Sequence, residues 1–289
     1  MTTAGQWLEG ARPRTLPAAI GPVLVGSGAA AAIDAFRPGR ALLALVVALA
    51  LQVGVNYSND YSDGVRGTDA DRVGPLRLVG SGVAQPGAVK RAAFAAFAVA
   101  AVAGLMLAAV TTWWLLLVGA AAIAAAWYYT GGPRPYGYSG LGELFVFVFF
   151  GLVAVLGTTY VQASRFTGLS LVGGISSGAL ACAILVANNL RDISTDARSG
   201  KRTLAVRLGD RRTRLLYACL LGVPFLLVLL VAPASPWALL AMPAAILAAK
   251  PLKAVFAGAR GPALVAVLGE TARLQLVVGG LLALGYALG

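Results

Sequence analysis

Apolar residues fall in nine long runs separated by short polar or Gly/Pro-rich stretches. The runs are Leu16–Ile33, Ala41–Tyr57, Ala92–Ala109, Trp113–Tyr129, Leu141–Val161, Leu169–Ala187, Leu215–Val231, Trp237–Ala249 and Ala263–Leu288. A helix needs about 20 mostly apolar residues to cross a bilayer. The pattern therefore predicts an all-α membrane protein, a bundle of nine transmembrane helices, with residues 1–289 forming one integral-membrane domain. The eighth run is short and contains Pro243, so its ends are the least defined. Glu9, Arg12 and Arg14 precede the first run, which predicts an uncleaved span rather than a signal peptide.

Two of these runs pass directly into acidic segments. Asn56–Asp71 reads NYSNDYSDGVRGTDAD and Asn188–Thr203 reads NNLRDISTDARSGKRT. If the helices continue, Asn56, Asp60 and Asp63 share a face, and so do Asn188, Asp192 and Asp196. Like charges at i, i+4 destabilise a helix, so such stacks call for a cation. Asn56-x-x-x-Asp60 and Asn188-x-x-x-Asp192 look alike, which is compatible with a duplicated half but too short to establish one.

Composition supports the membrane reading. The chain is 59% hydrophobic and 12% charged, with a mean hydropathy of +0.81. Soluble domains are about 25% charged. The net charge of +12 would suggest nucleic acid in a soluble protein. Here it reports topology and anionic ligands, and no nucleic-acid partner is expected. The chain has no histidine, which excludes imidazole catalysis and His-ligated metals. Cys182 and Cys219 lie in apolar runs and read as packing residues.

Of 23 Lys and Arg residues, only Arg37, Arg40 and Arg165 fall on the far side of the predicted spans, and Arg273 lies inside the last. The other nineteen gather on the N-terminal side. Positive charge stays in the cytoplasm, so the N-terminus is expected there and the C-terminus outside. Most of the acids gather on that side too, although acids contribute little to orientation. Their gathering predicts a polar cavity opening to the cytoplasm.

Magnesium prefers oxygen ligands and is usually held by one or two carboxylates plus substrate phosphates. Two facing carboxylate clusters fit that preference. Arg66, Arg72 and Arg77 near the first, and Arg191, Lys201 and Arg202 near the second, fit a diphosphate. Such a site beside an apolar chamber suggests ionisation of an allylic diphosphate. Tyr61, Tyr128, Tyr129 and Tyr136 are candidates to face the allyl cation, or else interfacial belt residues.

Four longer stretches carry a resemblance. ARPRTLPAAIGPVLVG (Ala11–Gly26), NDYSDGVRGTDADRVGPLR (Asn59–Arg77), YYTGGPRPYGYSGLGELFVFVFFG (Tyr128–Gly151) and NNLRDISTDARSGKRTLAVRLG (Asn188–Gly209) are similar to the 1,4-dihydroxy-2-naphthoate polyprenyltransferases of the UbiA superfamily. TARLQL at Thr271–Leu276 extends the collinear match. The resemblance implies nine transmembrane helices around a cytoplasm-facing active-site chamber in the bacterial cell membrane. It also implies a Mg2+-dependent reaction of a polyprenyl diphosphate with 1,4-dihydroxy-2-naphthoate, releasing carbon dioxide and diphosphate in menaquinone biosynthesis.

The carried-over motifs are Asn56, Asn59, Asp60, Asp63 and Asp69, then Asn188, Asp192 and Asp196. Gly67 departs from the superfamily's commoner NDxxDxxxD spacing, which leaves the roles of Asp63, Asp69 and Asp71 to be divided. Asp60, Asp63, Asp69, Asp192 and Asp196 are the expected metal ligands. Asn59 and Asn188 are expected to orient a carboxylate, accept a metal-bound water or cap a helix. Lys201 and Arg191 are the leading diphosphate contacts, with Arg66, Arg77 and Arg202 behind them. Glu143 is a candidate to bind or deprotonate the acceptor, and Glu270 and Arg273 are expected to pair at i, i+3. Two alternatives stay open: another aromatic acceptor such as 4-hydroxybenzoate, and a cation-coupled transporter, which would place acids near the bilayer midplane.

Overall fold

The computed structural model describes residues 2–68 and 76–289, and all regular structure among them is helical. A short amphipathic helix, α1 (Ala4–Ala11), precedes α2 (Pro17–Ala31), α3 (Pro38–Arg66), α4 (Pro86–Ala109) and α5 (Trp114–Tyr128). Then come α6 (Gly142–Val146), a π-helical segment (Phe147–Val153) and α7 (Ala154–Ala163), forming one continuous rod. α8 (Gly168–Arg198), α9 (Leu204–Val231), α10 (Ala245–Phe256, entered through a 3-10 segment at Pro236–Ala244) and α11 (Pro262–Leu288) complete the bundle.

Each apolar run became helix. Seven helical rods among the described residues are long and apolar enough to cross a membrane, while α2 and α5 are shorter apolar helices. At 1.5 Å per residue, a 15-residue helix spans about 22 Å, less than the roughly 30 Å hydrocarbon core. Large apolar side chains such as Leu42, Val102, Met106, Leu226, Leu230 and Ile246 face outward, as lipid contact requires.

The interior falls into two main groups. One joins α2, α8, α9, α10 and α11 around Tyr217, Leu221, Leu274 and Tyr286. The other joins α3, α4 and α5 around Tyr57, Leu78, Val89 and Phe97. The site lies between them. On the sparsely charged side, Arg37 and Arg40 donate to the Gln162, Val161 and Val110 carbonyls and so cap the ends of α7 and α4. The expected Glu270–Arg273 pair does not form. Glu270 instead pairs with Lys250 on the neighbouring α10, while Arg273 is exposed. Cys182 is buried as expected, but Cys219 lies exposed on α9.

Glycine sets the closest helix approach. A Cβ at Gly151 would lie 2.5 Å from the Gly178 Cα and 2.6 Å from the Gly174 carbonyl oxygen. Gly151→Val is therefore expected to destabilise the protein by about 3 kcal/mol, at the upper end of overpacking costs. Gly222→Ala, with nothing within 4 Å of the added Cβ, is expected to be neutral or slightly stabilising. Thermal unfolding of both variants in detergent checks the pair; equal midpoints would overturn the packing argument.

Candidate active site

Both acidic segments are helical to their ends. α3 runs nine residues past Tyr57 to Arg66, and α8 runs eleven past Ala187 to Arg198. The two helices then terminate alike. Gly67 (φ 71°) and Gly200 (φ 77°) take the left-handed conformation that glycine adopts without penalty. The next N–H turns back, from Thr68 to the Asp63 carbonyl at 3.1 Å and from Lys201 to the Asp196 carbonyl at 2.9 Å. The matching register is thus Asn59–Asp63–Gly67 against Asp192–Asp196–Gly200, one residue from the one suggested by Asn56 and Asn188.

That register separates residues the sequence had grouped. At about 100° per residue, Asn56 and Asp63 lie within roughly 20° of each other. Asn59 falls to one side of them and Asp60 to the other. Asn56, Asn59 and Asp63 line a large cavity; Asp60 does not. Asp60 is fully buried, and its two carboxylate oxygens accept the N–H groups of Leu78 (2.8 Å) and Val79 (3.0 Å). Its place is that of a fastener for the chain returning to α4, unlike the ligand position expected for it. Asp69, with Asp71 and Arg72, lies outside the described residues.

The cavity is about 1080 Å³, at the upper limit of ordinary small-molecule pockets. Its body is apolar, walled by residues such as Val47, Leu115, Phe145, Phe149 and Val153. Its polar end carries Asp63 from α3 and Asn188, Asp192 and Asp196 from α8, with Arg77, Arg191 and Lys201 beside them. Lys201 bridges the two helices: its Nζ lies 3.4 Å from Asp63 Oδ1 and 3.9 Å from Asp196 Oδ1. Arg191 donates to both oxygens of Asp192 at 2.7 Å and to Asn188 Oδ1 at 2.9 Å.

The segment between α5 and α6 spans both helices. On one side the Thr130 hydroxyl donates to Asn59 Oδ1 at 2.8 Å, and Arg66 donates to the Thr130 and Gly132 carbonyls. On the other, the Arg202 N–H bonds the Tyr138 carbonyl and the Arg207 guanidinium bonds the Ser139 carbonyl. Arg66 and Arg202, both expected at a diphosphate, are thus placed to hold this segment and do not line the cavity.

Tyr138 is the aromatic residue at the centre. Its hydroxyl donates to Asp63 Oδ1, and the Lys201 ammonium sits 4.5 Å from its ring centroid. Burial and the neighbouring Asp63 charge push its phenol up, so it keeps the proton it donates. The sequence reading missed it. The glycine-flanked YGYSG stretch is suggestive only once the fold brings it to Asp63. Of the tyrosines proposed from sequence, Tyr129 and Tyr136 line the cavity; Tyr61 stacks on Trp127, and Tyr128 is half-exposed. Glu143 sits behind the wall: its Oε1 accepts from Asn189 Nδ2 at 2.9 Å, and Asn189 faces the cavity.

The sequence pattern of the UbiA prenyltransferase family matches residues 19–266. The chain belongs to the UbiA prenyltransferase family. It is 55% identical to 1,4-dihydroxy-2-naphthoate octaprenyltransferase of Mycobacterium tuberculosis, covering 99% of both chains. It is 40% identical to the enzyme of the same name from Escherichia coli, over 74% of this chain and 72% of that one. Its fold matches a UbiA homologue from Aeropyrum pernix K1 with a TM-score of 0.69 at 16% identity, covering 93% and 96% of the two chains. A UbiA homologue from Archaeoglobus fulgidus bound to DMAPP and Mg2+ matches with a TM-score of 0.63 at 17% identity, covering 96% and 98%. The resemblance read from the motifs is borne out, and the chain is an integral membrane member of the UbiA family.

Proposed function

We propose that this chain transfers a polyprenyl group from its diphosphate to 1,4-dihydroxy-2-naphthoate, with loss of carbon dioxide and diphosphate. The observation that carries the reading is the pair of acidic helix ends facing each other across the polar end of a large apolar cavity. The full-length relative named for this reaction supports the choice of acceptor. All nine apolar rods cross the membrane in this reading, with the cavity and N-terminus cytoplasmic and the C-terminus outside, following the Lys/Arg asymmetry.

Magnesium fits the donor set. The side chains facing each other are carboxylates and amides, and the Mg2+-bound Archaeoglobus homologue supports the assignment. Among the described residues no three carboxylates gather closely enough to hold an ion alone. That suits an ion which keeps waters and takes phosphate oxygens. Asp63, Asp192 and Asp196 would hold it, with Asn59 and Asn188 beside them. When bound, magnesium neutralises charge developing on the leaving diphosphate.

The chain's own groups supply the rest. Arg77, Arg191 and Lys201 meet the phosphates. The apolar walls hold the tail and exclude water, and the ring faces of Tyr129, Tyr136 and Phe145 line the space for an allyl cation. The bond from prenyl carbon to diphosphate oxygen breaks with its electrons on oxygen, and the acceptor ring carbon that bears the ionised carboxylate bonds the freed prenyl carbon. The ring–carboxylate bond then returns its electrons to the ring as carbon dioxide leaves. Glu143 acts through Asn189, fixing the direction of its amide at the wall.

Purified protein incubated with a long polyprenyl diphosphate and either 1,4-dihydroxy-2-naphthoate or 4-hydroxybenzoate, with and without magnesium, tests the reading. Product from the naphthoate with magnesium alone is expected; product only from 4-hydroxybenzoate would overturn the acceptor. Tyr138→Phe removes one hydrogen bond to a charged carboxylate, a loss of about 1.5–3 kcal/mol. The expected kcat/KM falls roughly ten- to a hundredfold. An unchanged kcat/KM would remove Tyr138 from the site's machinery.

A further inference from the structure

We infer that the Lys201 ammonium is the resident counter-ion of the two acidic helices, so that a divalent ion binds there only together with a diphosphate. The inference rests on the prenyltransferase reading and concerns the order in which that site fills.

Three observations lead to it. First, the ammonium sits between carboxylates of different helices, 3.4 Å from Asp63 and 3.9 Å from Asp196, with its residue 92% buried. Second, its position is built in. The left-handed Gly200 turns the chain so that the Lys201 N–H returns to the Asp196 carbonyl, and the Tyr138 ring lies under the ammonium. Third, Asp192, the other carboxylate that α8 brings to the polar end, already accepts the Arg191 guanidinium through both oxygens.

A divalent ion arriving alone would meet carboxylates already paired with cations, with a fixed positive charge within reach of the same oxygens. Repulsion between two cations in a poorly hydrated site is large. A diphosphate changes the balance. It offers Lys201 a more strongly charged partner, and the four-carbon stem lets the ammonium move to it as a point charge. It also brings phosphate oxygens that complete an ion's coordination. Lys201 thereby couples the arrival of metal to the arrival of substrate.

Mn2+ binding to the full-length protein in nanodiscs, measured by electron paramagnetic resonance with and without geranyl S-thiodiphosphate, tests this. Wild type is expected to gain at least tenfold in Mn2+ affinity when the thiodiphosphate is present. Lys201→Met is expected to bind Mn2+ alone at least tenfold more tightly than wild type and to lose most of that gain; Lys201→Arg keeps the charge and stays near wild type. Lys201→Gln replaces the methionine variant if the latter does not purify as a monodisperse protein. Wild type binding Mn2+ equally well with and without the thiodiphosphate overturns the inference without recourse to any variant. So does an uncharged variant that binds Mn2+ no more tightly than wild type. Product formation by wild type is assayed on the same preparations. An enzyme that makes product but shows either overturning result loses only the counter-ion role, whereas a protein making no product loses the prenyltransferase reading.

Discussion

Asp196→Ala is expected to lower prenyl transfer about a thousandfold while the protein remains folded. Removing one group aimed at developing charge typically costs a hundred- to a thousandfold in rate, or about 3–4 kcal/mol. Asp196 belongs at the upper end for two reasons. It lines the cavity directly, and it shares the Lys201 ammonium with Asp63 across the gap between α3 and α8. Its loss removes a candidate ligand and also releases the lysine toward Asp63 alone. The fold should tolerate the change, because the Asp196 backbone carbonyl still receives the Lys201 N–H. Steady-state turnover alongside a melting curve checks both halves. Retention of more than a tenth of wild-type turnover would falsify the metal assignment for this residue.

Asp60→Ala is expected to do the reverse. The sequence places Asp60 beside Asp63, and both look like ligands. The structure gives Asp60 two backbone N–H groups to satisfy, those of Leu78 and Val79, away from the cavity. A buried donor left without an acceptor costs about 1–3 kcal/mol. Losing both is expected to destabilise the protein by about 3 kcal/mol, visible as a lower melting temperature and poorer yield. Molecules that do fold should turn over within about tenfold of wild type, an allowance of roughly 1.4 kcal/mol. A variant of normal stability but no activity would return Asp60 to the list of ligands.

The contrast shows what was legible in the sequence. Apolar runs located all the long helices because lipid-facing and core positions are both apolar, leaving little to confuse the pattern. The continuation of α3 and α8 through their acidic ends was conditional, since like charges along one face oppose helix formation unless cations answer them. Those cations, Lys201 and Arg191, were named, and both line the cavity. Arg66 and Arg202 were named on the same grounds and sit elsewhere, because proximity in sequence does not fix direction. Tyr138 and Thr130 were not singled out. Their significance depends on a segment more than 60 residues away folding against Asp63 and Asn59. Periodicity carries no such information.

The π-helical segment at Phe147–Val153 also sets an angular phase. A wide turn of this kind accommodates one more residue than an α-helical turn would. The helix beyond it is therefore rotated by about 100° relative to an uninterrupted rod. That phase presents the Thr159 hydroxyl to the Gly26 carbonyl and the Gln162 amide to Ser27 and Arg37. Deleting a single residue from the wide turn would restore regular α-helix while turning both side chains away from α2. Along this rod, a one-residue change in length acts as a rotation, and substitutions that preserve length are the ones the wall between α7 and α2 can absorb.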